Sequence, residues 1–310
     1  MSTSCGKSDG RVRERFAPSP TGFLHAGHAY SALTAWTAAK DGDGEFRLRI
    51  EDIDQQRCRT EFEAAIFEDL TWLGITWTCP VLRQSDRLGA YDHALQRLIA
   101  LGLCYPCRCT RKDIARALSA PQEGADTSIL RERGRSPERE RPIASPVYPG
   151  CCRHRSMSER TERDAVRLDL RRAINFVGGE TGVSRLNYLE IGSRKPLRIR
   201  LSADELLTRT GDVVLARKDI GTSYNLAVVV DDAFQSVTHV TRGKDLTTVT
   251  PLHVLLQRLL GLSTPIYRHH RLIRDAQNIR LSKRRGSTSL RSLKAEGRTP
   301  EEVLSFLRSQ

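Results

Sequence analysis

Apolar positions along the chain change period several times, and each change marks an element. Residues 12–16 read as a short strand that runs into Pro18, Ser19, Pro20, Thr21 and Gly22, a turn cluster that neither strand nor helix continues through. The Ala- and Leu-rich stretch 26–40, carrying Tyr30 and Trp36, predicts a helix. Strand, Gly/Pro turn and helix together open a nucleotide-binding α/β unit. Residues 45–50 alternate as a half-buried strand does, and Glu51, Asp52, Ile53 and Asp54 follow. In 60–73, Phe62, Ile66, Phe67, Leu70 and Leu73 recur at helical spacing, and 91–103 predicts another amphipathic helix. Further strands are expected at 165–170 and 197–201, with a strongly apolar strand at 226–230 that ends in Asp231 and Asp232. A helix is expected at 250–260. Thr299, Pro300, Glu301 and Glu302 then form a helix start, with Thr as N-cap, Pro in the first turn and Glu three residues on.

Between these elements the character shifts at Cys104, and residues 119–146 are rich in Arg, Glu, Pro, Ser and Gly with few large apolar residues. Such a stretch buries too little surface to offset the entropy of ordering, so a mobile loop is expected. No internal repeat is visible. The chain's 310 residues allow one large domain or two smaller ones, and 39% hydrophobic with 28% charged residues is ordinary globular composition. The net charge of +13 and a sequence pI of about 9.7 favour a polyanionic partner, nucleic acid first. The N-terminal residues are polar, and the densest apolar run is far too short to span a bilayer, so a cytoplasmic protein is expected. In a reducing compartment the eight cysteines are expected as thiols or metal ligands, with Cys5, Cys58 and Cys79 incidental.

Two short segments carry candidate chemistry. His25, Ala26, Gly27 and His28 lie where the first turn meets its helix, so two imidazoles and unpaired backbone N–H groups are expected at the positive end of the helix dipole, a site for phosphate oxygens. Gly27 leaves room for a flat ring such as adenine against the backbone. Late in the chain, Arg280, Leu281, Ser282, Lys283 and Arg284 form a basic run in which Lys283 offers a point charge and Ser282 a hydroxyl.

Together these segments resemble the two signature motifs of class I aminoacyl-tRNA synthetases. The Phe-Ala-Pro-Ser-Pro-Thr-Gly lead-in from Arg15, the strand end Arg49-Ile50-Glu51-Asp52, and the run from Tyr224 to Asp232 are similar to the glutamate-specific branch, over roughly residues 11–308. The basic run departs from that family's consensus at Arg280, Leu281 and Arg284, while Ser282 and Lys283 match. The resemblance implies formation of an acyl-adenylate from ATP, with Mg²⁺ in the substrate complex. His25, Gly27, His28, Ser282 and Lys283 would bind ATP and carry the chemistry. Arg15, Phe16, Ala17, Pro18, Ser19, Glu51, Tyr224 and Arg242 would bind L-glutamate. A carboxylate such as Glu51 suits an ammonium, and a buried guanidinium suits a carboxylate while leaving its charge unpaired against glutamine.

Cys107 and Cys109, with Tyr148 four residues before Cys152, resemble the zinc site of glutamyl-queuosine tRNA(Asp) synthetases, with Cys104 or Cys151 as alternative ligands. A phenolate is an unusual fourth donor, which composition alone does not suggest. The metal would pin an inserted subdomain. After Lys283 the sequence has room for a linker and one helix, so no anticodon-binding domain is expected. The implied fold is α/β, a Rossmann-like catalytic domain with a zinc-bearing insertion and a short helical C-terminus. Its divisions are 1–10 (tail), 11–103 and 223–265 (catalytic halves), 104–222 (insertion) and 266–310 (basic loop and helix). The implied activity is tRNA-independent glutamate activation and transfer to queuosine in the anticodon stem-loop of tRNA(Asp), by a monomer. Aminoacylation of a tRNA 3′ end, or a catalytically silent RNA-binding role, remains open at this point.

Overall fold

The computed structural model describes residues 10–119, 147–193, 195–273 and 289–309. The expected loop, apart from residue 119, and the segment carrying Ser282 and Lys283 lie outside the described residues.

A parallel sheet forms from β1 (Arg13–Phe16), β2 (Glu45–Ile50) and β3 (Leu82–Arg83), in that order. Helix α1 (Ala26–Asp41) joins β1 to β2, and α2 (Thr60–Trp72) follows β2. The next helix, α3, runs Leu88–Ala100, starting and ending three residues earlier than the expected span. On the far side of β1, Thr238 N–H donates to the Arg13 carbonyl (3.0 Å) and leads into β9 (His239–Gly243). That strand pairs in parallel with β10 (Ile266–His270), which pairs with β6 (Asn187–Glu190), and β7 (Leu197–Arg200) closes the edge antiparallel. A separate antiparallel sheet holds β4 (Cys104–Cys107), β5 (Ala165–Leu168) and β8 (Val214–Ala216). Residues within 104–222 thus contribute to two of the three sheets, the four-stranded one and the antiparallel one.

Strand β2 is not half-buried: every residue from Phe46 to Ile50 is buried. Successive side chains alternate between faces. Phe46, Leu48 and Ile50 join the core of α1 and α2, while Arg47 and Arg49 point the other way and are 1% and 0% exposed. Both faces of a parallel sheet are covered, so polarity alternates here between two kinds of interior rather than between core and water.

The covering element on the second face corrects another expectation. Residues 226–230 are helical, inside a helix Tyr224–Phe234. A five-residue apolar run has the same pattern as a buried strand or a buried helix segment, and tertiary packing decides. Here Leu226, Val228 and Val229 enter a core shared with Leu95 and Leu98 of α3 and with Leu252 and Leu255 of the helix Thr250–Leu260. The same helix carries two buried acids. Asp231 accepts hydrogen bonds from Gln84 Nε2 (2.9 Å), Arg87 Nε (2.7 Å) and Tyr91 Oη (2.7 Å), and Asp232 turns towards the arginines of β1 and β2.

The C-terminal helix Pro300–Ser309 starts as expected, with Thr299 Oγ1 accepting from Glu302 N–H and Glu302 Oε2 accepting from Thr299 N–H, both at 3.2 Å. Its Val303 and Leu307 bury in the core of α1. Cys79, expected as an incidental thiol, is disulfide-bonded, whereas Cys58, Cys104, Cys107, Cys109, Cys151 and Cys152 are in the thiol form. No helix among the described residues is long and apolar enough to cross a membrane.

Asp231 is the polar anchor between α3 and the helix Tyr224–Phe234. Asp231→Ala leaves Arg87, Gln84 and Tyr91 without their acceptor and is expected to cost about 3–5 kcal/mol of stability. The check is urea unfolding, where the midpoint should fall at unchanged slope.

Candidate active site

The turn after β1 is stitched to the end of β2. Glu51 N–H donates to the Pro18 carbonyl (3.0 Å), and Arg59 N–H to that of Pro20 (3.0 Å). Proline cannot donate, but its carbonyl is a good acceptor, so this turn is held from outside as well as by its own Thr21 N–H to the Ser19 carbonyl (2.8 Å). The result is a cleft of about 430 Å³ lined by Arg15, Phe16, Ala17, Pro18, Ser19, Glu51, Tyr224 and Arg242, and by His28. Residues some 227 positions apart in the chain share this one cavity. Thr21 of the lead-in motif also lines it, as do Ser31, Thr241, Gly243 and Leu246, which the sequence did not single out.

The floor is an ion network. Asp232 Oδ1 accepts from Arg15 Nε (3.1 Å) and from Arg49 (2.8 Å), and Arg49 also reaches Gln235 Oε1 (3.0 Å) and Glu51 Oε1 (3.4 Å). Burial alone would raise the Asp232 carboxyl, but the two guanidiniums overcome it and hold it below the ordinary carboxylate value. Glu51 has the weaker contact, and burial wins: its carboxyl is pushed up to about 7, against the pull of Arg49 and Arg15. Two acids in one network are thus set apart, Asp232 as permanent counter-ion and Glu51 as a group that ionises near neutrality.

The histidine pair is arranged differently from the expectation. Gly27 N–H donates to His25 Nδ1 (3.0 Å), and His25 N–H donates to His28 Nδ1 (3.2 Å), so the two imidazoles cap the N-terminus of α1 reciprocally. These backbone N–H groups are taken rather than unpaired. With Nδ1 accepting in both rings, the proton of each imidazole in its neutral form sits on Nε2. The rings lie 3.8 Å apart. A Cβ on Gly27 would come within 2.9 Å of His25 Cε1, so glycine there first makes room for the His25 ring.

Both flanks of segment 274–288 attach to this region. Upstream, His270 Nε2 lies 2.6 Å from Ser31 Oγ, and its ring meets Tyr30 edge-on. Downstream, Ser289 bridges to His25, and Leu290 N–H donates to the Leu24 carbonyl (2.9 Å). Ser282 and Lys283 themselves lie outside the described residues.

A second cluster sits at the end of β4. The sulfurs of Cys107, Cys109 and Cys152 lie within 4.8 Å of one another, and those of Cys109 and Cys152 are 3.4 Å apart. Tyr148 Oη is 3.4 Å from both Cys107 Sγ and Cys109 Sγ, and it accepts from Cys152 N–H (2.9 Å). A tetrahedral Zn²⁺ with Zn–S bonds of about 2.3 Å separates its ligand atoms by about 3.8 Å, so the four donors fit such an ion. Burial and the neighbouring Cys107 and Cys109 thiols raise the Tyr148 phenol overall, and only the Cys152 N–H opposes them, so a phenolate there would need the charge of the metal itself. Cys104 packs instead in the larger core, where burial pushes its thiol up to about 12, and Cys151 is exposed outside the cluster. The metal would supply cross-linking between β4 and residues 148–152. None of its ligands lines the cleft.

The chain matches the family described as tRNA synthetases class I (E and Q), catalytic domain, over residues 11–174 and 193–310. It is 47% identical to a glutamyl-Q tRNA(Asp) synthetase of Rhodobacter capsulatus, across 93% of this chain and 97% of that protein. It is 34% identical to a glutamate–tRNA ligase of Aquifex aeolicus, of which it spans 56%. A crystal structure of the glutamate–tRNA synthetase from Elizabethkingia anophelis superposes with a TM-score of 0.63 at 26% identity, over 89% of this chain and 53% of that one. The chain therefore spans about half the length of the glutamate–tRNA ligases it matches.

Elemental analysis of protein purified without chelators is expected to find about one zinc per chain, reduced sharply by Cys109→Ser together with a lower melting temperature. A metal-free wild type with unchanged stability would remove the metal from this cluster.

Proposed function

The chain belongs to the class I tRNA synthetases of the glutamate and glutamine type, and on that premise we propose that it activates L-glutamate with ATP, without needing tRNA, and transfers the glutamyl group to queuosine in the anticodon loop of tRNA(Asp). The observation that carries this reading is one cleft holding a carboxylate, Glu51, and a guanidinium, Arg242, with the paired histidines of α1 beside it. An amino acid with an acidic side chain has the matching charges, an ammonium for Glu51 and a carboxylate for Arg242.

In the first step a glutamate α-carboxylate oxygen attacks the α-phosphorus of ATP, the bond to pyrophosphate breaks, and glutamyl-adenylate forms. Such chemistry needs positioning and charge neutralisation more than a protein nucleophile. The Nε2–H groups of His25 and His28 are suited to donate to phosphate oxygens, and Gly27 keeps that approach open. Mg²⁺ enters with ATP as part of the substrate. Lys283, beside Ser282, supplies the further positive charge. Attachment of both flanks of 274–288 to the start of α1 supports this pairing. In the second step a hydroxyl of the queuosine base attacks the activated carbonyl and AMP leaves.

The net charge of +13 supports an RNA partner, because cationic surfaces gain affinity by releasing counter-ions from phosphates. Identity of 47% to a protein named for glutamylating tRNA(Asp), with almost complete mutual coverage, favours the modified base over a tRNA 3′ end.

Three measurements test this. Labelled glutamate should transfer to queuosine-containing tRNA(Asp) and not to the same RNA lacking queuosine; equal labelling of both, with the ester at the 3′ end, would overturn the assignment. Glutamate-dependent ATP–pyrophosphate exchange should proceed without RNA and slow by roughly 10²-fold or more in Lys283→Ala; an unchanged rate removes that lysine from the mechanism. Because Glu51 ionises near 7 and only its anion holds an ammonium, the KM for glutamate should fall as pH rises through about 7. Glu51→Gln should raise that KM and flatten its pH dependence, and a wild-type profile in this variant would exclude Glu51 from the pocket.

A further inference from the structure

Arg242 is buried on β9, yet among the described residues no carboxylate lies within ion-pair distance of it. Its neighbour in the cleft differs: Arg15 is paired with Asp232. A buried guanidinium left without a counter-charge is costly unless its N–H groups are satisfied. Neutral acceptors satisfy this one. Nε donates to His269 Nε2 (3.2 Å), one terminal nitrogen donates to His253 Nδ1 (3.2 Å), and the other to Thr250 Oγ1 (2.7 Å). Among the described residues three of the five guanidinium N–H donors have partners, which leaves two, the number that a bidentate carboxylate takes.

The imidazoles accept only in one tautomer each, and their outer partners select it. His253 Nε2 lies 3.0 Å from Asn225 Oδ1, so Nε2 carries the proton and Nδ1 offers its lone pair to Arg242. His269 Nδ1 faces Glu190 Oε2, so its proton points away from Arg242 and Nε2 accepts. Burial lowers the pKa of both rings, and Arg242 lowers each further, which keeps them neutral. The acid of this network, Glu190, stands on the far side of the His269 ring, fixed by N–H donations from Gly192 (2.7 Å) and His269 (3.0 Å). A Cβ on Gly192 would lie 2.6 Å from Glu190 Oε1, so only glycine keeps that arrangement.

We propose that His253, with His269 and Thr250, is a positioning residue for substrate selectivity: it holds Arg242 by neutral acceptors alone, so that the positive charge is reserved for the side-chain carboxylate of the ligand and a neutral amide is rejected. This rests on the reading of Arg242 as part of the glutamate pocket. An acid at position 253 would pair with Arg242 internally and compete with the ligand. A neutral acceptor at the Nδ1 position would not.

The test compares His253→Asp, His253→Asn and Arg242→Leu in ATP–pyrophosphate exchange with glutamate and with glutamine. His253→Asp is expected to raise the KM for glutamate about tenfold or more, with kcat and the KM for ATP changed little, and to cut the preference for glutamate over glutamine by about tenfold. His253→Asn, which keeps the acceptor, is expected to restore the KM to within about threefold of wild type. Wild-type KM and preference in His253→Asp, with Arg242→Leu impaired, would overturn the proposal while leaving the pocket standing. Wild-type values in Arg242→Leu as well would instead sink the pocket reading. Where His253→Asp does not fold, His253→Leu against His253→Asn decides: a raised KM in the leucine variant alone supports the acceptor role, and equal values refute it.

Discussion

One carboxylate, Asp232, holds the catalytic half together. It receives guanidiniums from adjacent strands, Arg15 of β1 and Arg49 of β2, and it reaches them from a helix that begins more than 170 residues later. Two buried arginines side by side would repel, and either left alone would carry a desolvation penalty of several kcal/mol. Asp232 pairs with both at once, and Glu51 adds a second acid beside Arg49. The helix Tyr224–Phe234 is thereby fixed in register over the sheet, Tyr224 is brought to the cleft, and Arg49 is free to touch Glu51.

The same network explains why apparently similar groups in the cleft behave differently. Arg15 and Arg242 are both buried guanidiniums, but one has its charge neutralised inside the protein and the other is held by neutral partners. Glu51 and Asp232 are both buried acids, but strong pairing keeps Asp232 ionised while weaker contact leaves Glu51 near its titration point. In a low-dielectric cleft, which charge remains uncompensated determines what a ligand must bring. Here Glu51 and Arg242 are the groups left for a ligand, and their complement is an ammonium and a carboxylate. The net charge of the whole chain acts at longer range, drawing a polyanion towards the surface without choosing which base is read.

The thiol cluster belongs to a different part of the design. It lies on the antiparallel sheet of β4, β5 and β8 and closes a small core of its own with Tyr105, Cys107, Tyr148 and Cys152. Cross-linking there would stiffen residues next to the span 120–146 without touching the cleft, a division of labour between holding the shape of an insertion and doing chemistry elsewhere.

The amino-acid sequence by itself determined the local grammar: the strand, Pro-Ser-Pro turn and helix at the start, the Thr299–Glu302 cap, and the short motifs whose side chains line the cleft. These are written in residues close together in the chain, where spacing and turn chemistry are enough. Tertiary structure alone decided that 226–230 is helical, that Arg47 and Arg49 face an interior, that His25 and His28 cap one another, and that Arg15 has an acid partner while Arg242 has none among the described residues. Periodicity distinguishes core from water, and it loses meaning where both sides are core. Which charges cancel depends on partners more than 200 residues apart, 217 for Arg15 and Asp232, and no local pattern records that distance.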